Sequence, residues 1–165
     1  MILKKKGISG IVATVIMIAL VVGITAILWG VVSNLVKDQI SSSESCFGNF
    51  GEVTLNKQYT CTNSNEIQFA MNIGDIIIDS AIVSVSGQSG AKSFEIKNNL
   101  TYSYVKMYGG SYGEILQLPE KNAGLTYVIN LAGIGITDAK SIKIAPIING
   151  NQCEVSDSIL DISNC

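Results

Sequence analysis

From residue 7 to residue 36 the chain carries thirty consecutive positions without a charged side chain, most of them Val, Ile, Leu or Ala, between Lys6 and Lys37. An apolar helix crosses a bilayer core of roughly 30 Å in about 20 residues, so residues 8–36 are long enough to span one. No proline breaks the run, and the pattern predicts one continuous helix over 8–40. Ser41-Ser42-Ser43-Glu44-Ser45 has no apolar period and marks the helix end or a short linker. Beyond it the period changes to two. Glu66-Ile67-Gln68-Phe69, Phe94-Glu95-Ile96-Lys97, Leu125-Thr126-Tyr127-Val128-Ile129 and Ser141-Ile142-Lys143-Ile144 all alternate, as half-buried strands do. Ile76-Ile77-Ile78 and Ala81-Ile82-Val83 are apolar at every position, which predicts central strands.

Turn signals separate these runs: Asn63-Ser64-Asn65, Gly87-Gln88-Ser89-Gly90, Asn98-Asn99, Gly109-Gly110, Asn122-Ala123-Gly124 and Asn149-Gly150-Asn151. Pro119 and Pro146 are expected at or near strand ends, where a missing N–H is tolerated. No stretch after residue 45 has a helical period. The predicted fold class is therefore α+β: a long N-terminal hydrophobic α-helix followed by an all-β sandwich of immunoglobulin-like type over residues 41–165.

Charge orients the chain. Lys4, Lys5 and Lys6 precede the apolar run, and only Lys37, beside Asp38, follows it closely, so the positive-inside bias places the N-terminus in the cytoplasm and the remainder outside. A cleavable secretory signal has a shorter apolar region and a small-residue cut site, a poor fit to this run. Residues 37–165 hold eight lysines against thirteen acids, a net of five negative charges, with no arginine and no histidine. That composition carries no basic footprint for nucleic acid.

All four cysteines, Cys46, Cys61, Cys153 and Cys165, fall on the predicted outer side, where disulfides form and persist. Three pairings are possible. The shorter loops favour Cys46–Cys61 with Cys153–Cys165, each flanking a polar segment and each restricting the unfolded chain by about 3 kcal/mol. A zinc site would show two close cysteines, a spacing this chain lacks, so neither a metal nor a cofactor is expected.

Gly109-Gly110-Ser111-Tyr112-Gly113 matches the nucleophile elbow of serine hydrolases. A triad serine needs a base, usually histidine, and the chain has none. The run is read as a turn. Gly87-Gln88-Ser89-Gly90-Ala91-Lys92-Ser93 fails as a phosphate loop because its lysine does not follow the glycine. The acids stand singly along alternating strands, on a solvated face, so no catalytic residues and no enzyme activity are expected. Asn99-Leu100-Thr101 fits an N-glycosylation acceptor on the outer side.

Within the apolar run Ala19, Gly23, Ala26 and Gly30 recur at steps of four, three and four, along one helical face. Small-residue faces let helices approach closely in membranes, where van der Waals packing drives association. Lys4-Lys5-Lys6-Gly7 followed by Ile8-Ser9-Gly10-Ile11-Val12-Ala13-Thr14-Val15-Ile16-Met17-Ile18-Ala19-Leu20-Val21-Val22 resembles the class III signal peptide and N-terminal helix of archaeal type IV pilins and the related archaeal flagellins (archaellins). The likeness covers about the first 36 residues. Bacterial pilins usually carry glutamate at the fifth residue after the cut; Val12 stands there, as in the archaeal pattern.

The resemblance implies that residues 1–7 are a signal peptide cut after Gly7 by a prepilin peptidase on the cytoplasmic side, leaving Ile8 as the first mature residue. It implies a membrane-inserted precursor that becomes an extracellular surface filament, a homopolymer with the helices at its core and the β-domains as its coat. An assembly ATPase and a membrane platform would be separate partners. Adhesion, surface attachment or motility is the implied role. Two other readings keep the same anchor: an uncleaved, membrane-tethered β-sandwich that binds a ligand, and an accessory archaellum component.

Overall fold

The computed structural model describes residues 10–165, residues 38–45 by their backbone. It begins with helix α1, Gly10–Phe47, 38 residues without interruption. Gly23 and Gly30 do not break it. The serine-rich stretch at 41–45 belongs to the helix rather than to a linker. The chain nevertheless divides after Ser41, and Ser42–Cys165 is a compact unit of its own.

Ten strands follow: β1 Val53–Thr62, β2 Glu66–Ile73, β3 Ser80–Gly87, β4 Gly90–Ile96, β5 Val105–Met107, β6 Ala123–Asn130, β7 Ala139–Ile148, β8 Asn151–Gln152, β9 Asp157–Ile159 and β10 Ser163–Asn164. They form two sheets. One runs β10-β1-β2-β6-β5; the other runs β4-β3-β7-β8, with β9 also paired to β7. With β1, β2, β6 and β5 as one layer, β4, β3 and β7 as the other, and β8 and β9 sharing the far edge, the strand order is that of an immunoglobulin-type sandwich.

The alternation seen in sequence becomes an inner face. Ile67, Phe69 and Met71 of β2 meet Val83 and Val85 of β3 and Ile142 and Ile144 of β7 in one buried core. β1 is regular only at its ends. Its register with β2 shifts between Asn56 and Cys61, and the buried Thr60 hydroxyl within that bulge donates to Asn56 O at 2.7 Å. Among the described residues, no buried side-chain polar atom lacks a hydrogen-bond partner.

Turn chemistry fixes the hairpins. Asn149 and Gly150 have φ of 52° and 75° between the paired Ile148 and Asn151, the left-handed pair that a two-residue turn between β7 and β8 requires. At the β3–β4 turn Gly87 pairs with Gly90, and a Cβ on Gly87 would lie 2.5 Å from Thr137 O. Only glycine fits so near another backbone.

Three expectations are corrected. Ile76-Ile77-Ile78 is not a strand but the crossing from the first sheet to the second: Ile78 turns inward while Ile77 is 80% exposed. Continuous apolarity here reflects a connection that touches the core on its way past. Pro146 lies two residues before the end of β7, near a strand end as expected. Its carbonyl accepts from Cys153 N, so its nitrogen faces the interval between β8 and β9, where no ladder donor is needed. One short helix, α2 Leu131–Ile134, stands where no helical period exists, capped by Asn130 at its start and by left-handed Gly135 at its end.

The third correction concerns the disulfides. Cys46 is bonded to Cys153 and Cys61 to Cys165, across sequence separations of 107 and 104, not between neighbours in sequence. The cause is topological. β10 lies parallel to β1 with Ser163 opposite Cys61, which sets Cys165 beside the end of β1. The β8–β9 connection likewise brings Cys153 to the last turn of α1, with the Cys46 and Cys153 Cα atoms 5.4 Å apart. Loop length alone favoured the opposite pairing.

Candidate functional site

Two regions carry the chemistry that the β-core does not use: the surface of α1 and a polar face of the β unit. Residues Gly10–Lys37 are long and apolar enough to cross a membrane, and none of this stretch is buried. Large apolar side chains point outward all round, among them Ile11, Ile18, Ile27 and Val31. A helix apolar on every side requires lipid or other protein around it. Two of its hydroxyls bond within the helix. Thr14 donates to Ile11 O at 2.8 Å and Thr25 to Val22 O at 2.9 Å, so neither hydroxyl demands water.

The structure places Ala19, Gly23, Ala26 and Gly30 along this exposed helix, and the space beside both glycines is open. From Ala19 to Gly30 the stripe extends about 16 Å at ~1.5 Å per residue. Trp29, 75% exposed, is a further feature of this surface that the apolar pattern alone does not distinguish. It stands about 20 residues into the apolar run, the depth at which aromatic rings mark a membrane boundary, and the lone tryptophan of the chain was the available signal. Lys4, Lys5, Lys6, Gly7 and Ile8, the expected processing site, lie outside the described residues.

On the β unit, Asn99 sits at φ 67° in the turn after β4, its backbone N donating to Leu116 O and its side chain exposed. Thr101 is exposed two residues on. The Gly109–Gly113 run is a surface turn: Gly109 and Gly113 have φ of 81° and 88°, and Ser111 N donates to Glu114 Oε2 at 2.9 Å. No helix follows it, so the strand–turn–helix of a nucleophile elbow is absent there. Phe47 and Phe50, 89% and 74% exposed, flank a cleft with Pro146, Ile148 and Cys153.

A second cluster lies around the β1–β2 turn. Asn63 Oδ1 accepts from Asn65 N at 2.9 Å and from Glu66 N at 2.7 Å, which fixes that turn. The Tyr112 hydroxyl reaches back from the loop after β5 and donates to Glu66 Oε1 at 2.6 Å. Burial first, and the Glu66 carboxylate second, push the Tyr112 phenol far above its ordinary range. Lys106 on β5 rests its ammonium 4.6 Å from the Tyr112 ring centre. These groups border two adjoining clefts that share Asn63 and Glu66: one of about 240 Å³ with Gln68, Lys106 and Tyr108, the other of about 570 Å³ with Ser64, Asn65 and Asn130. Among the described residues no group of His, Cys, Asp and Glu is placed to hold a metal ion.

Compared with known protein families and with curated proteins, the chain matches none. An apolar N-terminal helix able to serve as membrane anchor or signal, followed by a sandwich closed by two disulfides, fits a protein whose β unit lies outside the cell.

Proposed function

We propose that this chain is a structural subunit of an extracellular type IV pilus-like filament, processed after Gly7 by a prepilin peptidase and polymerised through α1. The observation that carries the reading is α1 itself: apolar all round, unburied along its whole candidate span, with the Thr14 and Thr25 hydroxyls internally bonded and Ala19, Gly23, Ala26 and Gly30 on one face. A tether needs only apolarity. A filament core also needs a surface on which a second helix packs closely, and the small-residue face supplies it.

In this reading Lys4, Lys5 and Lys6 hold the precursor's N-terminus in the cytoplasm until the cut after Gly7. The freed helix then leaves lipid for a bundle of its own kind, exchanging one apolar surrounding for another, driven by a separate ATPase and membrane platform. The acidic sandwiches form the coat, where their charge favours solubility and their bridges durability, with Asn99 as an attachment point for glycan. The chain supplies attachment or motility, not catalysis.

The test is the N-terminus of the native surface protein. Intact mass and N-terminal sequencing are expected to show Ile8 first, and electron microscopy of sheared cell surfaces to show filaments that disappear when Gly7 is replaced by a bulky residue. A retained Met1 on a dispersed protein supports instead the uncleaved, membrane-tethered binding module. Normal filaments from the Gly7 variant overturn the pilin assignment.

A further inference from the structure

The clefts around Glu66 have no part in assembly through α1, and their position on the β unit is informative. The chain enters the sandwich at Val53, opposite Ile73; the Asn63–Glu66 turn lies at the other end of β1, roughly 23 Å away counted along the regular partner β2 at about 3.3 Å per residue. The polar clefts therefore occupy the end of the sandwich farthest from where the chain enters it, together with the outer face of β2, β6 and β5. We propose that this surface, centred on Glu66, Gln68, Lys106 and Tyr108, is a binding site for an uncharged saccharide. The filament reading gives the site its setting, but binding itself does not depend on assembly.

Sugars present two kinds of surface: a ring face of C–H groups that packs on an aromatic plane, and an equator of hydroxyls that each donate and accept. A site for them combines an exposed aromatic ring with planar polar groups held in place. Both are present. The Tyr108 ring is 68% exposed and lines the smaller cleft. Gln68 and Asn65 offer amides whose side chains make no hydrogen bond among the described residues, and Lys106 has no carboxylate partner.

The surrounding groups are already ordered. Tyr112 holds one oxygen of Glu66 and leaves the other to accept from a ligand hydroxyl, Lys106 is seated on the Tyr112 ring, and Asn63 locks the turn that carries Asn65. Ordering cost on binding is correspondingly small.

Charge selects among polar ligands. The Glu66 carboxylate lies at the centre of the surface and residues 37–165 are net negative, so a phosphate or an acidic sugar meets repulsion that one lysine does not offset. Among the described residues lining these clefts Lys106 is the one cation, which argues in the same direction.

The experiment is a glycan array carrying neutral and acidic oligosaccharides, probed with the full chain in a detergent that has no sugar head group, followed by calorimetric titration of the strongest neutral oligosaccharide. Binding to neutral glycans is expected, weakened about tenfold or more by Tyr108→Ala and by Gln68→Ala. Tyr108→Phe, which keeps the ring, and Lys92→Ala, exposed on β4, are expected to bind as the parent does. All three positions are solvent-facing or partly so, and unchanged thermal unfolding of each variant establishes that the fold is intact. No neutral glycan bound at up to about 10 mM, a preference for acidic glycans, or binding indifferent to Tyr108→Ala and Gln68→Ala overturns the site. The chain is probed unassembled, so loss of this site leaves the filament reading standing, and a chain that binds without polymerising does the reverse.

Discussion

Tyr127 shows how one buried side chain sets a limit on stability. It is fully buried on β6, stacked on Phe69 with ring centres 5.3 Å apart, and its hydroxyl donates to Gln117 O at 2.5 Å. Burial alone pushes its phenol far above the ordinary value of 10.0. In the unfolded chain the same phenol ionises near 10, so below that pH both states hold the proton and nothing is lost. As pH rises past 10 the unfolded state releases its proton while the folded state keeps it, and stability falls by up to about 1.4 kcal/mol per pH unit for this one group. Tyr102 and Tyr112 shift in the same direction but are partly exposed, so their share is smaller. Urea unfolding at pH 9 and pH 11 is expected to show the parent losing more stability than Tyr127→Phe. At pH 9 the variant is expected to be weaker by about 1 kcal/mol for the missing hydrogen bond. Equal losses in both proteins would mean that ionised Tyr127 is tolerated in the fold.

Among the elements, β10 and the two disulfides decide how the sandwich is closed. β10 pairs with β1 over only Cys61↔Ser163 and Thr62↔Asn164, too little to hold the C-terminal residues without the Cys61–Cys165 bond. Replacing both of these cysteines by serine is expected to destabilise the β unit by about 2–5 kcal/mol and to release the tail to proteolysis, leaving Cys46–Cys153 intact on a non-reducing peptide map. In the parent chain, fragments joining Cys46 to Cys61 would contradict the structure. The strands at 66–69 and 141–144 were legible because each buries one face, and period two is the direct trace of that. The pairing of cysteines was not, since it depends on which strand ends meet in space. Ile76–Ile78 misled for a related reason: an apolar run records burial, not hydrogen-bonded pairing. α2 left only its caps, Asn130 and Gly135, in a sequence too short to show a period. Glu66, Lys106 and Tyr112 escaped notice because they lie up to 46 residues apart and are joined only by the β2-β6-β5 order.

At the scale of the molecule, one chain carries two surfaces with opposite requirements: a rod that excludes water and an acidic sandwich that needs it. In lipid a rod of this kind gains nothing by burial against another apolar surface, so the association proposed for it rests on closeness of approach and the summed dispersion contacts it allows. Gly23 is the position where that argument can be cut cleanly. The space beside it is open in the single chain, so Gly23→Leu introduces no clash within the helix. It exchanges a poor helix former for a good one, by about 1 kcal/mol. Membrane insertion of the variant is therefore expected to equal or exceed that of the parent, while polymerisation is lost or strongly reduced, because a branched side chain now stands where a neighbouring helix would come nearest. Membrane fractionation and electron microscopy of the same cells separate the two effects. Insertion and filaments both unchanged would show that the small-residue face makes no contact, and the assembly would then have to be sought through the exposed Phe47 and Phe50 instead. Filaments lost together with insertion would show that Gly23 serves the anchor and not the packing.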